Sequence, residues 1–220
     1  MAEQESKGDL GLIEAVSDHI ERYIGKIDIV MHEIVSSKVH IDVHVVRATR
    51  QRPYQTLVTS GMAELPMQNP DELKDARLAE LMICLPRDWP IDLESFKKDE
   101  NVWWPIRLLK TTAYYPHYEG TWLYRGHTIA NGANQPYAPG TRMSSVVLIY
   151  PRTVTTEGHI IRLERQRQAR LWALVPLYKE ELALKLSKGF GRLESLLDRR
   201  GVNEVLDPKR ASVSSRWRLT

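Results

Sequence analysis

The sequence has 220 residues, with 31 basic and 28 acidic side chains and a formal net charge of +3. A chain of this length suggests one domain, and it can bury about 70% of its unfolded surface without added crosslinks. The near balance of charges argues against a protein that binds nucleic acid through bulk electrostatics. No apolar stretch approaches the ~20 residues of a membrane span. Cys84 is the single cysteine, so no disulfide can form within the chain, and we expect a cytoplasmic location.

The chain opens with a polar stretch at 1–8, which predicts a disordered lead. Apolar residues then recur at helical spacing between Leu12 and Ile24. Asp9 is a suitable N-cap and Gly25 a suitable stop. We therefore predict a first helix over this range.

Two stretches of alternating apolar residues follow at 27–35 and 39–46. This alternation predicts two strands with one buried face each. A three-residue turn at 36–38 places the apolar residues of both strands on one shared face, with Glu33 as its one polar member. The sequence therefore predicts a β-hairpin.

The opposite face of this hairpin carries His40, Asp42 and His44, and His32 lies across from Asp42. Residues two apart on a strand point to the same side, and zinc accepts such nitrogen and oxygen ligands. One hypothesis is therefore a metal-dependent enzyme that uses His40, Asp42 and His44. The alternative is an exposed polar face, which is the ordinary condition of one side of an antiparallel sheet.

A third strand is predicted at 54–59, and the segment after it is a candidate binding site. Residues 62–67 carry two methionines and a leucine in a polar neighbourhood. Such side chains can line an adaptable binding surface, and the alternative is burial in the core. An open edge of the adjoining strand would add backbone hydrogen bonds to a partner. The predicted partner-binding residues are Tyr54, Ser60, Met62, Glu64, Leu65 and Met67.

The centre of the prediction is a buried strand followed by a helix with aromatic residues in its first turn. Residues 79–85 are too short an apolar run for a typical helix, and Pro86 stops it. Asn101 can cap a helix that begins with Trp103 and Trp104 and ends at Pro116. Apolar residues behind the tryptophans form a stripe that would face a sheet.

The last third of the chain predicts further strands at 122–130 and 144–150, a hairpin of 160–164 with 169–174, and helices from Pro176 and Phe190. The hairpin is rich in arginine, which raises the alternative of nucleic-acid binding. That reading needs aromatic residues among the arginines and a clearly basic domain. Only Trp172 lies near the arginines, Glu164 interrupts them and the net charge is +3, so nucleic acid is not the expected partner.

Sequence motifs of catalysis are absent. There is no Gly-x-Ser-x-Gly, no phosphate-binding glycine loop, no His-Glu-x-x-His and no Cys-x-x-Cys. This absence favours a binding protein over an enzyme, and we expect no cofactor.

Several short segments, taken in their order along the chain, resemble the segments of one known family. They are Thr59 to Leu65, Ala79 to Pro86, Trp89-Pro90, Trp103-Trp104-Pro105, Gly126 to Ile129 with Asn131-Gly132, Leu174 to Leu177 with Glu180-Glu181-Leu182, and Leu196-Leu197 with Gly201 and Val205 to Pro208. Taken together, over roughly residues 20 to 210, they resemble the suppressor of fused (SUFU) domain family.

The resemblance implies an α+β fold: a mixed, mainly antiparallel sheet flanked by helices, in a single SUFU-like domain at 9–210 with a C-terminal tail at 211–220. It implies a non-enzymatic module that binds a protein partner. Animal members grip an extended peptide of Gli-type transcription factors by strand addition, in a cleft between two lobes. This chain corresponds to the N-terminal lobe. Stand-alone domains of this size resemble bacterial members, which have been proposed as immunity proteins that neutralise toxins.

Overall fold

The fold is described from a computed structural model, for residues 9–33 and 38–214 and without the side chains of residues 93, 96 and 97. Outside the described residues lie the predicted lead at 1–8, the end of the predicted strand at 34–35, the predicted turn residues 36–37 and the end of the predicted tail at 215–220.

Five helices and eight strands make up the described regular structure, together with short 3-10 turns. The helices are α1 (Leu10–Tyr23), α2 (Leu93–Lys98), α3 (Glu100–Glu119), α4 (Lys179–Lys188) and α5 (Phe190–Arg199). The strands are β1 (Ile29–Met31), β2 (Asp42–Val46), β3 (Tyr54–Ser60), β4 (Ala79–Pro86), β5 (Thr128–Ala130), β6 (Met143–Ile149), β7 (Ile160–Arg162) and β8 (Gln168–Tyr178).

The strands form one sheet in the order β1-β2-β3-β4-β8-β6-β5, and β7 pairs with β8 outside this order. The β4–β8 pair is parallel, whereas the other pairs are antiparallel. The predicted α+β fold with a mixed, mainly antiparallel sheet is therefore confirmed.

Helices cover both faces of the sheet. On one face α3 packs its apolar stripe, and Trp104 is buried and stacks on Tyr137 at 5.3 Å between ring centroids. On the other face lie α1, α5 and β7. The central strand β4 is buried on both sides, with Leu81 toward α3 and Met82 toward α1 and α5. This is the placement that its continuous apolar run predicted.

The first hairpin has the predicted register. Ile29 pairs with Val45 and Met31 with Val43, as a three-residue turn requires, although both strands are shorter than predicted. The carboxylate of Glu33 has hydrogen-bond partners here. It accepts from the ammonium of Lys110 at 3.1 Å, from the backbone N–H of Ile41 and from the hydroxyl of Tyr114.

Both ends of α3 differ from the prediction. Asp99 is the N-cap, and its carboxylate accepts from the backbone N–H of Asn101 at 2.8 Å. Pro116 lies inside the helix, which continues to Glu119. A proline near the last turn removes few helical hydrogen bonds. Gly120 stops the helix instead, with φ at 60° in the left-handed region.

The C-terminal third also departs from the prediction at one boundary. Pro176 lies in β8, not at the start of a helix, because β6 continues to pair with this strand as far as Tyr178. Helix α4 begins at Lys179. Packing extends past the predicted domain end at residue 210, since Val213 is buried. Among the described residues, no helix combines the length and apolar character needed to cross a bilayer.

Candidate functional site

The structure divides the six predicted partner-binding residues into buried and accessible groups. Ser60, Met62 and Met67 are buried, Tyr54 and Glu64 are half-buried, and Leu65 is 41% exposed. The expected exposure of the two methionines is therefore wrong, and the alternative of burial holds for both. The turn that follows β3 directs the Met62 side chain into the core cluster beneath α3.

The tight turn after β3 explains this burial. Gly61 has φ at 115°, and a Cβ there would lie 1.8 Å from the carbonyl oxygen of His40. The backbone N–H groups of Gly61 and Ala63 both donate to the buried carboxylate of Glu80 at 3.0 Å. This carboxylate fixes the turn, so the segment is a rigid part of the core and not an adaptable loop.

The open strand edge expected at this segment is also absent. Strand β3 pairs with β2 on one side and with β4 on the other. Its backbone N–H and C=O groups are hydrogen-bonded to these two neighbouring strands, so a partner strand cannot add there. The sequence pattern gives no indication of this, because pairing with β4 is a long-range contact.

The predicted metal face does not form a metal site. The carboxylate of Asp42 lies 2.9 Å from Nδ1 of His32 and 3.0 Å from Nε2 of His40. His40 and His44 are four residues apart on one extended segment, which separates them by about 13 Å, too far to share one ion. Within residues 9–33 and 38–214, no three histidine, cysteine or acidic side chains are grouped so that they could hold a metal.

This face is only partly an exposed polar surface. Asp42 and His44 are each only 1% exposed, whereas the His32 side chain is 71% exposed. Burial lowers the pKa of His44, whose ring nitrogens have no hydrogen-bond partner among the described residues. The metal hypothesis is therefore wrong for His40, Asp42 and His44, and the alternative of an exposed face holds for His32 but not for Asp42 and His44.

An open edge does occur at β5. Here the N–H of Asn131 donates to the carbonyl of Ser144 at 2.8 Å. At the other end of the strand, the N–H of Leu148 donates to the carbonyl of His127 at 3.0 Å. Hydrogen-bonded pairs alternate in an antiparallel ladder, so Ile129 is the residue of β5 that bonds to β6.

The two residues on either side of Ile129 consequently turn their backbone groups away from β6. The N–H and C=O groups of Thr128 and Ala130 face outward, and Ala130 is exposed. In the described part of the chain, β5 is the last strand at this end of the sheet. Four backbone groups are thus presented for pairing with an added strand.

A groove runs between this edge and α3. Its helical wall consists of Arg107, Thr111 and Tyr115, which are spaced four residues apart and so lie on one helix face. Ile129 and Tyr137 line the opposite wall, and the cavity has a volume of about 260 Å³. A second cavity of about 410 Å³ continues the groove past the loop at 136–139.

The walls of the groove are held firmly. The guanidinium of Arg107 donates to the carbonyl of Tyr137 at 2.6 Å and lies 2.5 Å from the carboxylate of Glu100. The Tyr137 ring is stacked on buried Trp104. Because Arg107 is paired, the groove combines a neutral surface with backbone donors and acceptors. Such a surface suits an extended peptide.

Sequence reasoning predicted a strand at 122–130 but gave it no functional role. The strand is short because a bulge precedes it, where Gly126, with φ at 82°, donates to the carbonyl of Leu148 at 2.7 Å. The available signal was the Asn131-Gly132 turn that ends the strand. That signal marks a strand end, and it cannot show that the strand lies at the end of the sheet.

The comparison with family models supplies the identification. The model of the suppressor of fused protein (SUFU) matches residues 37–211. The chain belongs to the suppressor of fused family. The resemblance inferred from the sequence motifs is therefore confirmed. Among curated proteins, the comparison found no match to this SUFU-family chain.

Solved structures of suppressor of fused proteins have the same fold. A SUFU homologue from Neisseria gonorrhoeae FA 1090 is 16% identical with a TM-score of 0.68, and the match covers 94% of this chain and 100% of that chain. A Sufu–Fu complex gives 14% identity and a TM-score of 0.63, with 92% of each chain covered. Drosophila Suppressor of Fused is 14% identical with a TM-score of 0.59, and the match covers 96% of this chain but 52% of that chain.

Proposed function

We propose that this SUFU-family protein is a non-enzymatic interaction module that binds an extended segment of a partner protein along the open edge of β5. The segment would lie in the groove between β5 and α3 and add one strand to the sheet. The observation that carries the proposal is the outward orientation of the Thr128 and Ala130 backbone groups beside that groove. Main-chain hydrogen bonds supply the affinity in this mode of recognition.

Two further observations support a binding role. One of the similar solved structures is a complex of Sufu with the protein Fu, so a domain of this fold is seen with a protein partner. The edge strand is also only three residues long, which limits unwanted pairing with other chains. Specificity would come from the side chains on the α3 wall, with Thr111 and Tyr115 accessible for contact.

The expected immunity role and the expected cytoplasmic location remain predictions. An immunity role would make the partner a toxin, and a cytoplasmic location would place the encounter inside the producing cell. Of the predicted partner-binding residues, Tyr54, Glu64 and Leu65 keep enough accessibility to take part in recognition. They do not line the β5 groove.

The test is a proline at the open edge. Ala130→Pro removes an outward-facing N–H and leaves the ladder to β6 intact, because proline is tolerated on an edge strand. Ala130→Ser is the matched control, since it keeps the N–H at the same exposed position. We expect a stoichiometric partner in native extract that binds wild type and Ala130→Ser but not Ala130→Pro.

Recovery of the same partner by correctly folded Ala130→Pro would refute the edge as the binding site. A second variant, Thr111→Trp, fills the groove from the helix side without touching β5. If strand addition is correct, it also abolishes capture of the partner while the free energy of unfolding stays within about 0.5 kcal/mol of wild type. Recovery of no stoichiometric partner by folded wild-type bait would count against the interaction role itself.

A further inference from the structure

A second cleft lies at the end of the sheet where the parallel strands β4 and β8 begin. One wall is the 3-10 segment Asp71–Ala76, and the other is the tip of the β7–β8 hairpin. The cleft has a volume of about 460 Å³. Its lining is Pro66, Lys74, Asp75, Arg77, Leu78, Gln166, Arg167, Gln168 and Arg170. None of these residues lines the groove at β5.

The lining of this basic cleft carries four cations against one anion. The cations are Lys74, Arg77, Arg167 and Arg170, and the anion is Asp75. Asp71 on the same wall offsets Arg77, which leaves Lys74, Arg167 and Arg170 against the one carboxylate of Asp75. The chain as a whole has 28 acidic side chains, nearly as many as its basic ones. The excess of cations is therefore a local feature of this cleft.

Most of these cations have no protein partner. Arg77 forms an ion pair with exposed Asp71 at 3.0 Å. Lys74, Arg167 and Arg170 form no hydrogen bond or ion pair through their side chains within residues 9–33 and 38–214. Side chains that repel one another and remain unpaired are available to an anionic ligand with several charges.

The backbone of Arg170 is held in place by the sheet. Arg170 is paired with Ala79 in the parallel β4–β8 ladder and with Ile160 in the β7–β8 ladder. Its backbone N–H also donates to the carbonyl of Leu78 at 2.8 Å. The base of the cleft is therefore joined by a backbone hydrogen bond between Leu78 and Arg170.

The lining indicates which anion fits. None of its described residues is aromatic, so nucleic-acid bases would find no stacking surface. Pro66, Leu78 and the aliphatic stems of the basic side chains add apolar area, and the exposed Leu65 adjoins Pro66 in the chain. Arginine binds carboxylates in a two-point fork. We propose that the basic cleft binds an acidic segment of a partner protein, with glutamate or aspartate side chains at Lys74, Arg167 and Arg170.

The test measures binding of a fluorescently labelled hexaglutamate peptide to the full chain by anisotropy. Hexaglutamine is the uncharged control, and hexathymidylate and tripolyphosphate are the competing anions. We expect saturable 1:1 binding of hexaglutamate that weakens about tenfold in Arg167→Gln/Arg170→Gln and falls with added salt. Arg192→Gln, which removes an exposed cation on α5, should keep the affinity within about twofold.

Each other outcome contradicts the proposal. Absence of saturable binding, equal losses in Arg192→Gln, or tighter binding of hexathymidylate or tripolyphosphate than of hexaglutamate would each overturn it. If the double variant does not fold, Lys74→Gln on the opposite wall replaces it with the same expected direction. Ala130→Pro should leave hexaglutamate binding unchanged, so failure of this inference and failure of strand addition at β5 are distinguishable.

Discussion

Two buried glutamates hold chain segments against the sheet in different ways. Glu181 is fully buried at the start of α4, and its carboxylate is paired with the guanidinium of Arg210 through two contacts at 2.6 and 2.7 Å. It also accepts from the backbone N–H groups of Tyr178 at 2.9 Å and Val213 at 2.7 Å. This carboxylate anchors the C-terminal segment with a counter-charge in place.

Glu80 is equally buried on β4 and has no cation among its hydrogen-bond partners. Its carboxylate accepts from the hydroxyl of Thr59 at 2.5 Å and from two backbone N–H groups of the turn after β3. Burial without a counter-charge raises the pKa of Glu80 from 4.5 to about 7, although these hydrogen bonds oppose the shift.

Because Glu80 has no counter-charge, it is the buried glutamate that responds to pH near neutrality. Glu181 has the guanidinium of Arg210 as a counter-charge at 2.6 and 2.7 Å. Glu80 gains a charge near neutral pH in a place that penalises it. The turn that Glu80 fixes leads to Leu65 and Pro66 beside the basic cleft. Glu80 therefore couples the position of this turn to pH, together with Glu64 in the turn and with His117, which contacts the carbonyl of Met62.

The largest effect is expected from removing the counter-charge of Glu181. Arg210→Ala leaves a buried carboxylate unpaired, which should lower the free energy of unfolding by about 3–5 kcal/mol. Urea denaturation at neutral pH measures this loss. The exposed neighbour provides the control, and Lys209→Ala should change stability by less than about 0.5 kcal/mol. A loss as small as that of the control would mean that the pair is not a structural anchor.

The second prediction concerns pH. Between pH 4.5 and about 7, folded Glu80 holds a proton that the unfolded chain has released, so rising pH favours unfolding. Relative to Glu80→Gln, wild type should lose about 2–3 kcal/mol of stability between about pH 5 and about pH 8. Denaturation curves of both proteins across this range measure it. Parallel pH profiles would show that Glu80 does not titrate in this way.

A third variant tests the hydrogen bond between the Thr59 hydroxyl and Glu80. Thr59→Val keeps the side-chain shape but removes the hydroxyl that donates to Glu80 and accepts from the N–H of Leu81 at 2.8 Å. We expect a loss of about 1–3 kcal/mol, because buried polar groups are left unsatisfied. The loss should be larger at about pH 8, where Glu80 is charged, than at about pH 5. An equal loss at both values would contradict the assignment.

The smallest effect is expected from salt. The pair of Glu181 and Arg210 is shielded from solvent, so the stability difference between wild type and Arg210→Ala should change by less than about 0.5 kcal/mol between about 0.05 M and 0.5 M sodium chloride. Hexaglutamate binding at the exposed basic cleft should weaken over the same range. Equal salt sensitivity in the two measurements would remove the distinction between a buried pair and an open anion site.

Much of the local structure could be predicted because it depends on neighbours in the sequence. The continuous apolar run of β4 predicted its burial on both faces, and the spacing around residues 36–38 predicted the register of the first hairpin. The motifs in their order predicted the SUFU family. The ends of α3 and the start of α4 were misplaced, because proline is compatible with a late helical turn and with a strand.

The candidate sites could not be predicted in the same way, because each depends on which strands become neighbours. The methionines of 62–67 had the composition of a binding surface, yet the turn fixed by Glu80 buries Met62 and Met67. The arginines of the β7–β8 hairpin were visible in the sequence as a basic patch. Their association with Lys74 required the parallel pairing of β4 with β8.

By itself, then, the sequence determined most helices and strands but not α2, together with the buried centre and the family, since hydrophobic spacing and turn residues act over a few positions. Tertiary structure alone decided that β3 is enclosed while β5 is open, that Asp42 and His44 are buried, and that cations distant in the chain line one cleft. Strand order and sheet edges arise from long-range pairing, and no local pattern of residues encodes them.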